Sequence, residues 1–143
     1  MSRSDLRPRD AYRLWNSIPT RWHDNDAYDH VNNVTYYGWF DTAVNLCLID
    51  AGLLDIERGD PIGLVVESGC RYAAPLTFPQ TVEIGLVVAK LGTSSVIYHL
   101  GAFAAGAESG AAEGHLTHVY VGRHSRRPVP LPAAWRRILE RLV

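Results

Sequence analysis

The stretch VTYYGWFDTAVNLCLIDA, residues 34–51, decides how this chain folds. It is too long for an ordinary strand, and Gly52 behind it supplies a C-terminal stop, so it reads as a helix. Its polar residues are few: Thr35, Asp41, Thr42, Asn45 and Asp50. A helix that is apolar on nearly every face must be buried, and in a chain of 143 residues something has to wrap it.

The rest of the sequence supplies β-structure for that purpose. Residues 12–22 read as a first strand, with Pro19 marking an edge or a bulge. After the helix come four further runs. Residues 62–74 end before Pro75, and residues 80–91 place Val82, Ile84, Leu86 and Val88 on one face with a period of two. Residues 95–105 and 112–122 follow, separated by the turn signals Gly92-Thr93-Ser94 and GAESGA (106–111). Short turns between consecutive strands predict an antiparallel meander. PVPLP (128–132) then leads to an amphipathic terminal helix, 133–143, with Trp135, Ile138, Leu139 and Leu142 on one side. The expected class is α+β: a five-stranded antiparallel sheet rolled around one long helix, with a short C-terminal helix, in a single domain over 1–143. Residues 1–11, polar and rich in arginine, are expected to form a flexible arm.

Composition removes several function classes. The formal net charge is -1 and hydrophobic residues make up 47% of the chain, so no global basic field exists to attract nucleic acid. The N-terminus lacks the apolar segment of a secretory signal, and no run of 18 apolar residues occurs, so no membrane partner is expected and a cytoplasmic location is the default expectation. Cys47 and Cys70 sit in apolar surroundings and read as reduced, buried thiols.

The chemistry concentrates just before the long helix. HDNDAYDHVNN, residues 23–33, packs His23, Asp24, Asp26, Asp29 and His30 into eight residues. Three readings compete. Asp-rich loops often serve only as turns and caps before helices. A calcium loop is the second, but Tyr28 stands where a short oxygen ligand belongs, Asp29 where the sharp-turn Gly belongs and Thr35 where the bidentate Glu belongs; no zinc spacing occurs either, so no metal is expected. The third is metal-free catalysis: a carboxylate beside the free N–H groups of a helix start can activate water or attack a carbonyl, and those amides can hold an oxyanion.

The run RWHDNDAYDHVNNVTYYGWFDTA resembles the signature of the hot-dog-fold acyl-CoA thioesterases, in the branch related to 4-hydroxybenzoyl-CoA thioesterase and to acyl-ACP thioesterases. The residues that carry the likeness are Asp24-x-Asp26, His30-Val31-Asn32-Asn33 and Tyr36. RYAAPLTFPQTVEI (71–84) and Arg126-Arg127-Pro128 extend it along nearly the whole chain. The resemblance implies the hot-dog fold and hydrolysis of acyl-CoA to free acid and CoA, with no cofactor. It assigns Asp26 as general base or nucleophile, His30 as a group that orients water or the carboxylate, and the backbone N–H of Asn33 as the amide that polarises the carbonyl. Tyr36 would line the substrate site. It also implies a homodimer, or a homotetramer built as a dimer of dimers, with sites between subunits.

Some relatives carry a catalytic Glu on the strand after the helix. Here that place falls on Ala73 or Ala74, and Glu67 lies several residues too early. The patch Arg123, Arg126 and Arg127 could grip CoA phosphates, since the guanidinium fork matches phosphate oxygens. His115 and His118 are expected on opposite faces of one strand, which makes them poor co-ligands. His99 reads as structural, and Trp22 and Trp39 as core or interface residues. Leu46, Ile49, Val65 and Val66 suit an acyl pocket but equally a plain core. Two other functions stay open: a hydratase or dehydratase on acyl thioesters, which Asp41 would serve as the helix acid, and a non-catalytic acyl-CoA-binding module.

Overall fold

The computed structural model describes residue 2 and residues 5–143. Five strands form one antiparallel sheet: β1 (Leu14–Pro19), β2 (Ile62–Tyr72), β3 (Thr81–Leu91), β4 (Ser95–Ala104) and β5 (Ala112–Val121). The long helix α1 spans Asn33–Asp50 and the terminal helix α2 spans Ala133–Glu140. This is the hot-dog arrangement expected above. The strand order is β1-β3-β4-β5-β2, so only β3, β4 and β5 form the expected meander. β1 leads into α1, which crosses the sheet and delivers β2 to the far edge; β2 then returns to β3 on the other side. The long helix needs a face to lie on, and strands joined around it cannot be sheet neighbours in sequence order.

α1 lies on the concave face of the sheet. Tyr36, Trp39, Phe40, Ala43, Val44, Cys47 and Leu48 are buried, at the three- and four-residue spacing of one helical face. They meet Ile84, Leu86, Tyr98, Leu100 and Leu116 from the strands. Gly114 of β5 allows the closest approach: a Cβ there would lie 2.6 Å from the Phe40 ring and 2.7 Å from the Gly69 carbonyl oxygen.

Within the protomer the helix is not wrapped on every side, contrary to the expectation from its composition. Val34, Tyr37 and Ile49 are exposed on its far face. Leu46, Val65 and Val66 are also exposed, so they are not protomer core. The apolar positions of α1 thus divide between a face that the sheet covers and a face that it leaves open. Trp39 is buried as expected, whereas Trp22 is exposed and touches Phe78 edge-on at 5.9 Å between centroids.

The N-terminal segment also departs from expectation. Among the described residues of the expected arm, Leu6 is buried and Arg9–Ala11 form a 3-10 turn, while residues 1, 3 and 4 lie outside the described residues. The Arg7 N–H donates to Glu113 at 2.9 Å, and the Arg9 guanidinium to Glu83 at 2.6 Å. These arginines tie the segment to carboxylates on the convex face of the sheet.

α2 closes the opposite end of the core. Leu139 is fully buried, Trp135 meets Tyr120 edge-on at 5.1 Å, and the Leu142 carbonyl accepts from the Val88 N–H.

Candidate active site

The loop between β1 and α1 is built by its aspartates, each in a different way. Asp24 is 2% exposed, and its carboxylate is gripped by Arg21: Oδ1 accepts from Nε at 3.0 Å and Nη2 at 2.8 Å, and Oδ2 from the Arg21 N–H at 2.7 Å. Burial pushes the Asp24 pKa up, but the Arg21 hydrogen bonds outweigh it and hold the carboxyl below its ordinary value. Its carbonyl accepts from the Asn32 N–H, which fixes the loop's exit to its entrance. Asp24 is therefore the loop's internal anchor.

Asp26 heads a tight turn that closes between Asn25 and Val31. Its Oδ1 accepts from the Tyr28 N–H at 2.8 Å and the His30 N–H at 3.4 Å, while its own N–H donates to the His30 carbonyl. Asp29 completes the turn at φ 61°, a left-handed conformation that Asp tolerates. The second edge of the loop is sewn to the 77–78 segment: the Thr77 hydroxyl donates to the Asp29 carbonyl at 2.7 Å, and Asn25 Oδ1 accepts from the Phe78 N–H at 3.1 Å. Asp26 Oδ1 is thus committed to the turn, and among the described residues no group donates to Oδ2.

At the helix start, Asn32 is the N-cap and its Oδ1 accepts from the Val34 N–H at 3.1 Å. The Thr35 N–H is taken by the Asn32 carbonyl. Among the described residues nothing takes the Asn33 N–H, which is left with no intrahelical partner. The Asn33 carbonyl accepts from the Tyr72 hydroxyl at 3.0 Å, tying the helix start to the end of β2.

These residues share one open groove of about 470 Å³, lined by Asp26, His30, Val31, Asn33, Tyr36, Tyr72 and the Ala73-Ala74-Pro75 segment. Asp26, His30, Asn33 and Tyr36, singled out from sequence, therefore converge. Among the described residues Asp26 is the sole carboxylate on the groove wall, because Ala73 and Ala74 offer only methyl groups. His30 is exposed and shapes the site through its main chain, whose N–H and carbonyl bracket Asp26. Tyr36 is buried as a wall, edge-on to Tyr72 and to Trp39, each at 5.1 Å; burial pushes its hydroxyl up to about 12. Tyr72 is the residue that sequence reading passed over. Its signal in the sequence is its place in RYAAPLTFPQTVEI (71–84), the run that extends the family likeness beyond the long helix. Burial, with Cys70 and Tyr37 beside it, pushes its hydroxyl pKa up, so it stays a protonated donor to Asn33.

The arginine patch lies elsewhere. Arg123 follows β5, whose end Val121 pairs with Ile62 at the start of β2, whereas the groove lies at the Tyr72 end. Ten residue steps of roughly 3.3 Å place these ends about 33 Å apart. The Arg123 guanidinium is also occupied: it donates to the carbonyls of Asp55, Ile56 and Gly59, and its N–H donates to Asp60. It locks the 55–60 loop. Arg126 and Arg127 are exposed on the turn after β5. His115 and His118 do face opposite sides of β5, and among the described residues no three His, Cys, Asp or Glu side chains converge as a metal site.

A family model described as the thioesterase-like superfamily matches residues 20–140. The chain belongs to the thioesterase-like superfamily. The fold agrees with solved structures. The PA5185 protein of Pseudomonas aeruginosa is 54% identical, with 94% of each chain covered and a TM-score of 0.90. The PA2801 protein of the same organism is 31% identical over 86% of this chain and 95% of that one, with a TM-score of 0.80. Slr0204 of Synechocystis, a 1,4-dihydroxy-2-naphthoyl-CoA thioesterase, is 16% identical over 87% of this chain and 93% of that one, with a TM-score of 0.79, and so shares the fold. No curated protein matches the chain. Family membership supports thioester hydrolysis as the reaction class. No helix among the described residues is long and apolar enough to cross a membrane.

Proposed function

We propose that this member of the thioesterase-like superfamily hydrolyses acyl-CoA thioesters, with Asp26 as the reacting carboxylate and the Asn33 N–H as the carbonyl's hydrogen-bond donor. The observation that carries this reading is that one groove is lined by Asp26, one of whose carboxylate oxygens meets no donor among the described residues, and by Asn33, whose N–H meets no acceptor among them. A thioester carbonyl seated on Asn33 N–H gains an oxyanion partner as negative charge develops. Asp26 Oδ2 takes a proton from water, the hydroxide adds to the carbonyl carbon, and the C–S bond breaks as the thiolate leaves and is protonated. In the alternative order, Oδ2 adds to the carbonyl itself, the C–S bond breaks as the thiolate leaves and is protonated, and water hydrolyses the resulting anhydride to the free acid and the Asp26 carboxylate. No cofactor takes part. Label found in Asp26 after a single turnover in ¹⁸O water identifies the anhydride route with water attacking the Asp26 carboxyl carbon.

The site is completed by a second copy of the chain. β2 is a sheet edge that exposes Val65 and Val66. A two-fold pairing of this edge with its copy is antiparallel, so the Ile62 end of one β2 lies beside the Tyr72 end of the other. The partner's Arg126 and Arg127 then approach the groove from across the interface, where they can meet CoA phosphates. A tetramer would pair two such dimers. The first test is thiol release from short, medium, long and aromatic acyl-CoAs. Turnover of at least one of them is expected; none on any would refute the assignment. Light scattering should give at least twice the 15.9 kDa protomer mass, and a monomer would refute the shared site.

A further inference from the structure

An amide serves as a carbonyl's donor only if it holds still, and the first turn of a helix is the part that frays. Around Asn33 the main chain sits in a frame of hydrogen bonds. The Val31 N–H donates to the Leu76 carbonyl at 2.8 Å, and the Asn32 N–H to the Asp24 carbonyl at 2.8 Å. The Asn32 carbonyl accepts from the Thr35 N–H at 2.9 Å, and Asn32 Oδ1 from the Val34 N–H at 3.1 Å. The Tyr72 hydroxyl donates to the Asn33 carbonyl at 3.0 Å. Among the described residues, the Asn33 N–H stands inside this frame without an acceptor.

Tyr72 differs from the rest of the frame. Asn32, Val34 and Thr35 are neighbours of Asn33 in the chain, whereas Tyr72 ends β2, 39 positions away. The sheet sets its main chain: Tyr72 lies in register with Ala112 of β5, and the Ala73 N–H that follows donates to the Ala111 carbonyl at 2.8 Å. Its ring stands edge-on to Tyr36 at 5.1 Å, on the groove wall. The hydroxyl therefore reaches Asn33 from a fixed base. A helix carbonyl takes the N–H four residues on and has a second lone pair for such a bond. With Asn32 Oδ1 on the Val34 N–H, the Asn33–Val34 peptide is pinned at both polar ends. The peptide that carries the Asn33 N–H is pinned at its carbonyl by Thr35 and, through the Asn33 Cα, by the peptide that Tyr72 holds.

We propose that Tyr72 is a positioning residue for thioester hydrolysis: its hydroxyl, acting through the Asn33 carbonyl, aims the Asn33 N–H at the oxyanion. The proposal rests on the reading of Asp26 and Asn33 given above. A donor fixed in advance stabilises developing charge without reorganising, and a displacement of about 1 Å can cost about 10²-fold in rate. One partly exposed hydrogen bond adds little to stability, so its loss should appear in the rate. The Tyr72 ring, as groove wall, bears on substrate binding instead.

Tyr72→Phe removes the hydroxyl and keeps the ring. Thiol release from the acyl-CoA that wild type turns over fastest should show kcat lower by about ten-fold or more, with KM within about three-fold. Tm should fall by no more than about 4 °C. Tyr72→Leu, which removes the ring as well, should lose the same kcat and also raise KM. In the ligand-free protein, the ¹³C resonance of the Asn33 carbonyl should move upfield in Tyr72→Phe as the bond is lost. A Tyr72→Phe kcat within about two-fold of wild type, or a loss carried wholly by KM, would overturn the proposal. So would an Asn33 carbonyl resonance that is the same in both proteins. A Tm lower by about 10 °C or more would make the hydroxyl a structural support and overturn it too. Failure of the hydrolysis reading shows separately, as a wild type that releases no thiol; the carbonyl resonance then still decides whether Tyr72 holds Asn33.

Discussion

Replacing Asp24 and Asp26 by asparagine, one at a time, separates the loop's architecture from its chemistry. Asp26 uses only Oδ1 in the fold, accepting two N–H groups, and an asparagine oxygen can accept both. The substituted NH₂ then takes the place of Oδ2, which has no donor to lose. Asp26→Asn should thus change stability by less than about 1 kcal/mol, since no hydrogen bond must break. Asp24 uses both oxygens, one for the Arg21 guanidinium and one for the Arg21 N–H. An asparagine there must turn an NH₂ toward one of those donors. The pair is buried on the aspartate side but Arg21 is largely exposed, so the loss is set at about 2 kcal/mol, toward the lower end for hydrogen bonds to charged groups. For a domain of this size, 1 kcal/mol corresponds to about 4 °C in Tm, so Asp24→Asn should melt about 8 °C lower. The activities should rank the other way. Asp26→Asn should lower kcat by about 10²–10⁴, the range for loss of a positioned general base. Calorimetry and thiol release on the same preparations provide both readings. An Asp26→Asn protein that melts as low as Asp24→Asn, or one that keeps its kcat, would refute the division of roles.

Gly114→Ala drives a methyl into the Phe40 ring and the Gly69 carbonyl; with backbone as one neighbour, a loss of about 2 kcal/mol or more is expected in urea unfolding, and a neutral result would show that α1 can lift from the sheet. Arg123→Ala frees three loop carbonyls, so hydrogen exchange over 55–60 should quicken while KM for acyl-CoA stays within about two-fold; a ten-fold rise in KM would instead make Arg123 a phosphate contact. Glu113 is buried, which pushes its pKa up, but the Arg7 N–H and the Arg71 side chain outweigh this and hold it below 4.5. The charged form is therefore favoured in the folded state, so its contribution is full above 4.5 and is lost as pH falls through the folded value. Glu113→Gln should be less stable at pH 7 and should lose less stability than wild type on acidification below 4.5; parallel urea midpoints across that window would contradict the assignment.

The sequence by itself determined the elements and the location of the chemistry, because both are local. Length and hydropathy specified α1, the period of two specified β3, and Gly92 and the 106–111 turn divided the strands. The crowding of Asp26, His30 and Asn33 around a helix start is likewise a matter of neighbours in the chain, so their convergence in one groove was legible. Tertiary structure decided what depends on distant partners. Asp24 and Asp26 look alike in sequence, yet only folding gives one to Arg21 and leaves one oxygen of the other without a donor. Tyr72 reaches Asn33 across 39 positions, and Arg123 is drawn to carbonyls more than 60 positions away. The uniform apolarity of α1 could not say which side the sheet would cover, since a hydropathy pattern records the burial of a residue but not the surface that buries it.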